Sequence, residues 1–338
     1  MSLDADIPLL LSLVFMVGGL YVLAKSANMF IDGASALARH FGVSPLIVGM
    51  VIIGFGTSAP ELAVSALSGI GGHSNLSLGN AYGSCIFNIG AILGVAALIR
   101  PIAVKPSVVW IATPMLLVVT VLSCFVISDH EFERVNGIVL LAAFAIIMPL
   151  YCWYDQKWGQ SAESPTPQES APSVAPANGL GREGFRLFAG LVLLVISSHV
   201  LVWGSVDFAR DGLHVSDLLI GLTIVAVGTS LPELASAIVS ARKGESEFVI
   251  GNIVGSNLFN TLAVVGLAGT ISPFSNFSPY ILSRDLPLMF GLSLSLAIFG
   301  FNFRNVRKDG LISRWKGAIW LLVLLAYLVL MVYQETSG

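Results

Sequence analysis

Residues Gly54 to Glu61 read G-F-G-T-S-A-P-E, and they lie inside an apolar run, Ser44 to Ile70, long enough to cross a bilayer. Pro60 cannot be an ordinary residue of a membrane helix. It lacks a backbone N–H, and its ring clashes with the carbonyl four positions earlier. Beside it stands a carboxylate, costly to bury in hydrocarbon and functional by default at that depth. The stretch returns as A-V-G-T-S-L-P-E, Ala226 to Glu233. Two interrupted membrane helices, each with one buried glutamate, point to a cation site.

The rest of the chain has the composition of a membrane protein. Of its 338 residues 55% are hydrophobic and 11% charged, with mean hydropathy +0.85, where a soluble domain carries about 25% charged residues. Apolar runs of roughly 20 residues predict an all-α polytopic membrane protein. Ten spans are expected: Ile7 to Ala24, Ser44 to Ile70, Leu78 to Ile99, Val108 to Ile127, Val135 to Tyr154, Leu187 to Val206, Ser216 to Arg242, Phe248 to Ile271, Asp285 to Phe303 and Gly317 to Tyr333. The first reads as a retained helix, since no small-residue cleavage site follows it. Asp155 to Glu183 is rich in Ser, Pro, Ala and Gln and predicts a flexible linker. The chain thus divides into residues 1–154, a linker at 155–186, and residues 187–338.

The flanking halves are repeats. Glu61 and Glu233 are 172 residues apart, and the same offset relates Ser44 to Ser216, Pro60 to Pro232, Gly79 to Gly251, Asn80 to Asn252, Ser84 to Ser256 and Asn88 to Asn260. An odd number of spans per half makes the second copy enter the membrane from the opposite side, giving two inverted five-helix repeats with spans two and seven broken. With both termini outside, fourteen of the 17 basic residues fall on the inner side and only Arg134, Arg210 and Arg284 on the outer. That bias places the linker in the cytoplasm.

The interrupted helices supply oxygen. A break near Phe55 to Thr57 frees carbonyls from about Gly54 to Thr57, tolerated in a membrane only where they line a cavity or bind something. Thr57, Ser58 and Glu61 add side-chain oxygens, and Ala226, Thr229, Ser230, Pro232 and Glu233 form the second copy. The following helices read G-N-A-Y-G-S-C-I-F-N from Gly79 and G-N-I-V-G-S-N-L-F-N from Gly251. Ser84 and Asn88 share a helix face, as do Ser256 and Asn260. Gly79, Gly83, Gly251 and Gly255 would let these helices approach the broken ones closely. No His, Cys or Met belongs to the set, and all-oxygen ligation suits hard cations such as Ca²⁺ or Na⁺ rather than zinc or copper.

Other residues read as structural. Cys85, Cys124 and Cys152 form no metal or disulfide pattern. His73, Asp129, Glu131 and Glu133 are expected in solvated outer loops, and the tryptophans mostly at span ends as interface anchors. Asp32 and Asp207 fall near helix ends, where an entrance role and a solvated one are both open. No nucleotide-binding loop or Ser-His-Asp set is present, so neither an ATPase nor a hydrolase is indicated, and no enzyme is expected.

The G-T-S-x-P-E and G-S-x-x-F-N signatures resemble the two alpha-repeats of the calcium/cation antiporter superfamily, its sodium/calcium exchanger branch in particular. Close similarity covers Ser44 to Gly94 and Ser216 to Gly266. The resemblance implies Ca²⁺ and Na⁺ competing at the membrane centre. Glu61 and Glu233 would be shared ligands. Thr57, Ser58, Ser84, Thr229, Ser230 and Ser256, with the carbonyls of Gly54 and Ala226, would complete flanking sites. Asn88 and Asn260 would line the middle, and spans one and six would slide against the bundle. Many potassium-dependent relatives carry Asp where this chain has Asn260, which argues against a potassium requirement. Cys85 stands where the first repeat often has Asn.

The expected function is secondary active, electrogenic exchange of Ca²⁺ for Na⁺. H⁺/Ca²⁺ antiport on the same scaffold is the alternative, and a cation channel the reading from another class. Expected partners are inorganic cations and the lipid bilayer, with no cofactor and no nucleic acid, in a monomer of a bacterial inner (plasma) membrane.

Overall fold

The computed structural model describes residues 9–70, 74–155, 179–208, 226–275 and 277–337. Most of the expected linker, the start of the expected seventh span at Ser216, and His73, Trp158 and Arg210 lie outside the described residues.

Helix α1, Leu9–Phe41, runs seventeen residues past the expected end at Ala24. The polar stretch after Ala24 stays helical because its side chains find partners without breaking the backbone pattern. Ser26 Oγ donates to the Val22 carbonyl (2.7 Å) and Asn28 Nδ2 to that of Ala24 (2.8 Å). Asp32 pairs with Lys243 (2.5 Å). Ala27, Phe30, Ile31 and Ala34 carry the buried stripe onward at helical spacing. The helix stops at Gly42, whose φ of +62° a β-carbon would oppose.

Ser44 then caps α2, Pro45–Thr57, its hydroxyl accepting the Ile47 N–H (3.2 Å) with Pro45 at the first helical position. After a 42° bend comes α3, Ala59–Ile70. Next are α4 (Ser77–Ile99), α5 (Val108–Val126) and α6 (Arg134–Tyr154). The second half brings α7 (Leu180–Asp207), α8 (Ala226–Thr229), α9 (Leu231–Lys243), α10 (Ser246–Ile271), α11 (Ile281–Gly300) and α12 (Arg314–Ser337). Helix α7 begins seven residues before the expected edge at Leu187. Glu183 in its first turn is buried and paired with Arg186 (3.4 Å), and an acidic side chain there suits a helix N-terminus.

Eight of these helices are long and apolar enough to cross a bilayer, and α2 with α3 makes a ninth, interrupted one. The chain is not wholly helical. Strand β1 (Ile102–Val104) pairs antiparallel with β4 (Gly310–Ile312), and β2 (Glu131–Phe132) with β3 (Phe274–Ser275). Two- and three-residue strands in loops are too short to show a period.

Helix α10 is buried on every side, while α6, α7 and α12 turn most of their surface outward. Ile146, Phe188 and Leu322 are exposed there, as lipid-facing residues should be. Trp320 departs from the expected anchor role: it is fully buried, and its Nε1 donates to Ser295 Oγ (2.7 Å), satisfying its only polar atom. Single π-helical stretches recur across the halves, at Asn88–Leu93 and Phe259–Val264 and again at Val108–Ala112 and Ile281–Asp285. Such stretches widen a helix by one residue and concentrate at functional sites.

Candidate functional site

The break in α2–α3 falls at Ser58 (φ −83°, ψ 5°), one residue beyond the expected Phe55 to Thr57, and its counterpart at Ser230 (φ −90°, ψ 10°) separates α8 from α9. Each serine carbonyl starts the next helix, accepting the N–H of Leu62 and of Leu234 (both 3.1 Å). The position follows from the prolines. Pro60 has no N–H for the Gly56 carbonyl, and Pro232 none for that of Gly228. Gly54 is therefore not bare as expected: its carbonyl accepts the Ser58 N–H (3.1 Å) and the Ser256 hydroxyl (3.4 Å). Ala226 opens α8 and half-buried Thr229 closes it.

The breaks bring the two carboxylates into one network. Glu61 is 0% and Glu233 1% exposed. Ser230 Oγ donates to Glu61 Oε1 (3.3 Å), and Ser58 Oγ to Glu233 Oε1 (3.1 Å). Each carboxylate thus takes a hydroxyl from the opposite half, and Oε2 of each has no hydrogen-bond partner. Among the described residues neither forms an ion pair with a basic side chain. Two buried negative charges without a positive partner call for a bound cation or for protons.

The other expected residues gather around this pair. Ser84 Oγ lies 3.4 Å from Ser230 Oγ. The Thr57 hydroxyl has one proton and three acceptors in reach: the carbonyls of Ile53 (2.9 Å) and Gly54 (3.4 Å), and Asn252 Oδ1 (3.2 Å). Asn88 and Asn260 stand at the π-helical stretches of α4 and α10. Asn88 Nδ2 donates to Asn257 Oδ1 (2.9 Å) but its Oδ1 has no partner, and neither polar atom of Asn260 has one. Oxygens that are buried, convergent and unpaired are what a dehydrated cation would use. No group of three or more His, Cys, Asp or Glu side chains among the described residues could hold a metal ion, so the set is two carboxylates with neutral oxygens.

Close packing holds this geometry. A β-carbon on Gly251 would lie 2.5 Å from the Leu46 carbonyl oxygen, and one on Gly255 would run into the Met50 backbone, so only glycine lets α10 lie against α2. Gly79 and Gly83 meet no described atom within 4 Å. The residues offset by 172 from those touching Gly251 and Gly255 fall at 218–222, outside the described residues.

Sequence reasoning read Asn80 and Asn252 as a pair of the repeat and assigned neither them nor Asn257 a role at the site. Asn257 and Cys85 occupy matching positions of the repeat and face each other: Asn257 Nδ2 donates to the Cys85 carbonyl (3.4 Å), and Cys85 Sγ to that of Asn257 (3.7 Å). A separate open cavity of about 740 Å³ is lined by Arg39, Ser44, Lys105, Asp155 and Glu245, among others, and by none of the candidate ligands.

The family model described as sodium/calcium exchanger protein matches residues 11–153 and 185–333. This chain belongs to that family. Like its relatives it is an antiporter of cations, calcium among them, and the family is one of membrane transporters rather than enzymes. A candidate antiporter of Alkalimonas amylolytica, CaxA, is 37% identical to this exchanger-family chain over 321 residues, covering 94% of this chain and 98% of that one. The sodium/calcium exchanger MaX1 of Methanosarcina acetivorans is 30% identical over 357 residues, covering 96% and 97%. Among solved structures, the sodium-calcium exchanger NCX_Mj soaked with Na⁺ and Sr²⁺ superposes with a TM-score of 0.78 at 28% identity, covering 96% of this chain and 99% of that one.

Proposed function

We propose that this exchanger moves Ca²⁺ against Na⁺ by alternating access, with Glu61 and Glu233 as carboxylate ligands shared by both ions. The observation that carries the reading is the reciprocal crossing of Ser58 to Glu233 and Ser230 to Glu61, with an unpartnered Oε2 on each carboxylate. Together the carboxylates balance one Ca²⁺. Thr57, Ser84, Asn88, Thr229, Ser256 and Asn260, with the Gly54 and Ala226 carbonyls, supply neutral oxygens for Na⁺.

The scaffold is ten spans in two inverted halves, the second opening with α7 at Leu180, joined by a cytoplasmic linker between Asp155 and Gly179. The two ribbons support this count. Paired strands lie on one face of the membrane, so an even number of crossings must separate them. Between β1 and β4 run α5, α6, α7, α10 and α11. An even count needs a sixth crossing, through α8 and α9. The same crossing makes four between β2 and β3. The basic residues then orient both termini outward, in the plasma membrane of a bacterium, with the monomer as the working unit.

Proton coupling is the second reading, because buried Oε2 atoms without partners would also accept protons. Hydroxyl and amide oxygens favour Na⁺, since a proton needs no such cage. Uptake of ⁴⁵Ca²⁺ into proteoliposomes separates the two. Internal Na⁺ should drive uptake with no proton gradient imposed. Uptake that ignores Na⁺ and follows the proton gradient would keep the scaffold and reassign the coupling ion.

A further inference from the structure

Two amides outside the proposed ligand set, Asn80 half-buried and Asn252 buried, grip the helices that carry the carboxylates. Asn80 Nδ2, from α4, donates to the backbone carbonyl of Glu61 (3.1 Å) and to Ser65 Oγ (2.9 Å). Asn252 Nδ2, from α10, donates to the carbonyl of Glu233 (3.4 Å) and to Ser236 Oγ (3.3 Å). In each half one amide holds the carboxylate-bearing residue and a hydroxyl about one turn further on. The bonds to Glu61 and Glu233 land in the first turn after each break, beside the proline that interrupts the helix. Asn252 does more. It is 1% exposed, and its Oδ1 lies 3.2 Å from the Thr57 hydroxyl at the break in the other half, one of the three acceptors within reach of that proton. One side chain therefore touches both interruptions, with all its polar groups in use.

We infer that Asn80 and Asn252 are positioning residues for cation binding, and that Asn252, through Thr57, ties the geometry of one carboxylate to the break that precedes the other. The positioning role follows from their donors, which hold backbone and serine oxygens of the carboxylate-bearing helices. The inference rests on the reading of Glu61 and Glu233 as ligands. A hydrogen bond that orients a ligand acts on how well the ion is held, so its loss belongs in apparent affinity before it belongs in maximal rate.

Leucine keeps the branched, four-heavy-atom outline of asparagine but is larger and makes none of these bonds, while alanine is smaller and makes none either, so Asn80→Leu and Asn252→Leu read beside Asn80→Ala and Asn252→Ala separate positioning from packing. The readouts are Ca²⁺-dependent thermal stabilisation of the purified full-length protein and the Ca²⁺ dependence of ⁴⁵Ca²⁺ uptake into Na⁺-loaded proteoliposomes. Each Leu variant should lose roughly tenfold in apparent Ca²⁺ affinity, the order of a lost buried hydrogen bond, while maximal rate changes less than about twofold. Thr57→Ala should lower affinity in the wild type and add little on top of Asn252→Leu, the non-additivity of coupled neighbours. Wild-type affinity in either Leu variant, with damage only in Asn80→Ala or Asn252→Ala, would mean packing and overturn the inference. Full additivity of Thr57→Ala and Asn252→Leu would remove the link between the halves. If Asn252→Leu does not give folded protein, half-buried Asn80 carries the test alone. Wild-type uptake that ignores Na⁺ would instead sink the functional reading, and the binding measurement would still judge this one.

Discussion

Asn260 shows at one residue what the site costs the fold. It is 0% exposed, and neither its Oδ1 nor its Nδ2 has a hydrogen-bond partner. Each such atom is destabilising by about 1–3 kcal/mol, so Asn260→Leu should raise the melting temperature of the cation-free protein and lower ⁴⁵Ca²⁺ uptake. A fall in both would mean that Asn260 serves the fold instead. Glu245, in the turn between α9 and α10, is a second case. Burial raises its carboxyl above the usual range, against the hydroxyl of Ser35 (3.0 Å) and the nearby Lys243 and Arg39, which favour the charged form. An acid raised in the folded state binds its proton more tightly there, so its contribution to stability is whole at acid pH and is lost as pH rises through the folded value. Glu245→Gln should therefore stabilise the protein at neutral pH and not at acid pH, and melting curves across that range check it. Parallel curves would contradict the assignment. Glu61 and Glu233 were legible because a buried carboxylate that recurs at one offset, each time beside a helix-breaking proline, fits few roles besides holding an ion. Asn80 and Asn252 share that offset, yet an amide in a motif gives no sign of whether it faces an ion or another helix.

At the scale of elements, proline chemistry made both breaks readable, and the error of one residue has the same source. Proline withdraws its N–H from the residue four before it, but the chain turns at the serine two before it, the last residue free of both helices. Pro232→Ala would restore an N–H for the Gly228 carbonyl and let α8 run on into α9. The protein should fold with equal or higher thermal stability and lose exchange. Exchange at the wild-type rate would show that the break is not needed for transport. The length of α1 was hidden, since Lys25 to Asp32 looks like a loop until the bonds of Ser26 and Asn28 back to α1 and the partner of Asp32 on α9 are known. The π-helical stretches left no trace either, because one extra residue in a turn changes register without changing composition.

For the whole molecule, apolar runs and a repeat at one offset through two spans made the helical membrane architecture legible, while the ribbons joining its ends were too short to read. Orientation rests on the distribution of basic residues and is open to direct test. Ser128, after α5, and Asn305, after α11, are exposed, and the native cysteines are buried or half-buried. An impermeant thiol reagent added to intact cells should label Ser128→Cys and spare Asn305→Cys; the reverse pattern would invert the topology. The central claim is that both carboxylates serve one site that Ca²⁺ and Na⁺ share. Calorimetric Ca²⁺ binding to the purified protein, with and without Na⁺, tests it most directly. The account predicts a single Ca²⁺ per chain, weakened by Na⁺ and lost equally in Glu61→Gln and Glu233→Gln. Binding that persists in either variant, or that Na⁺ leaves unchanged, would contradict it.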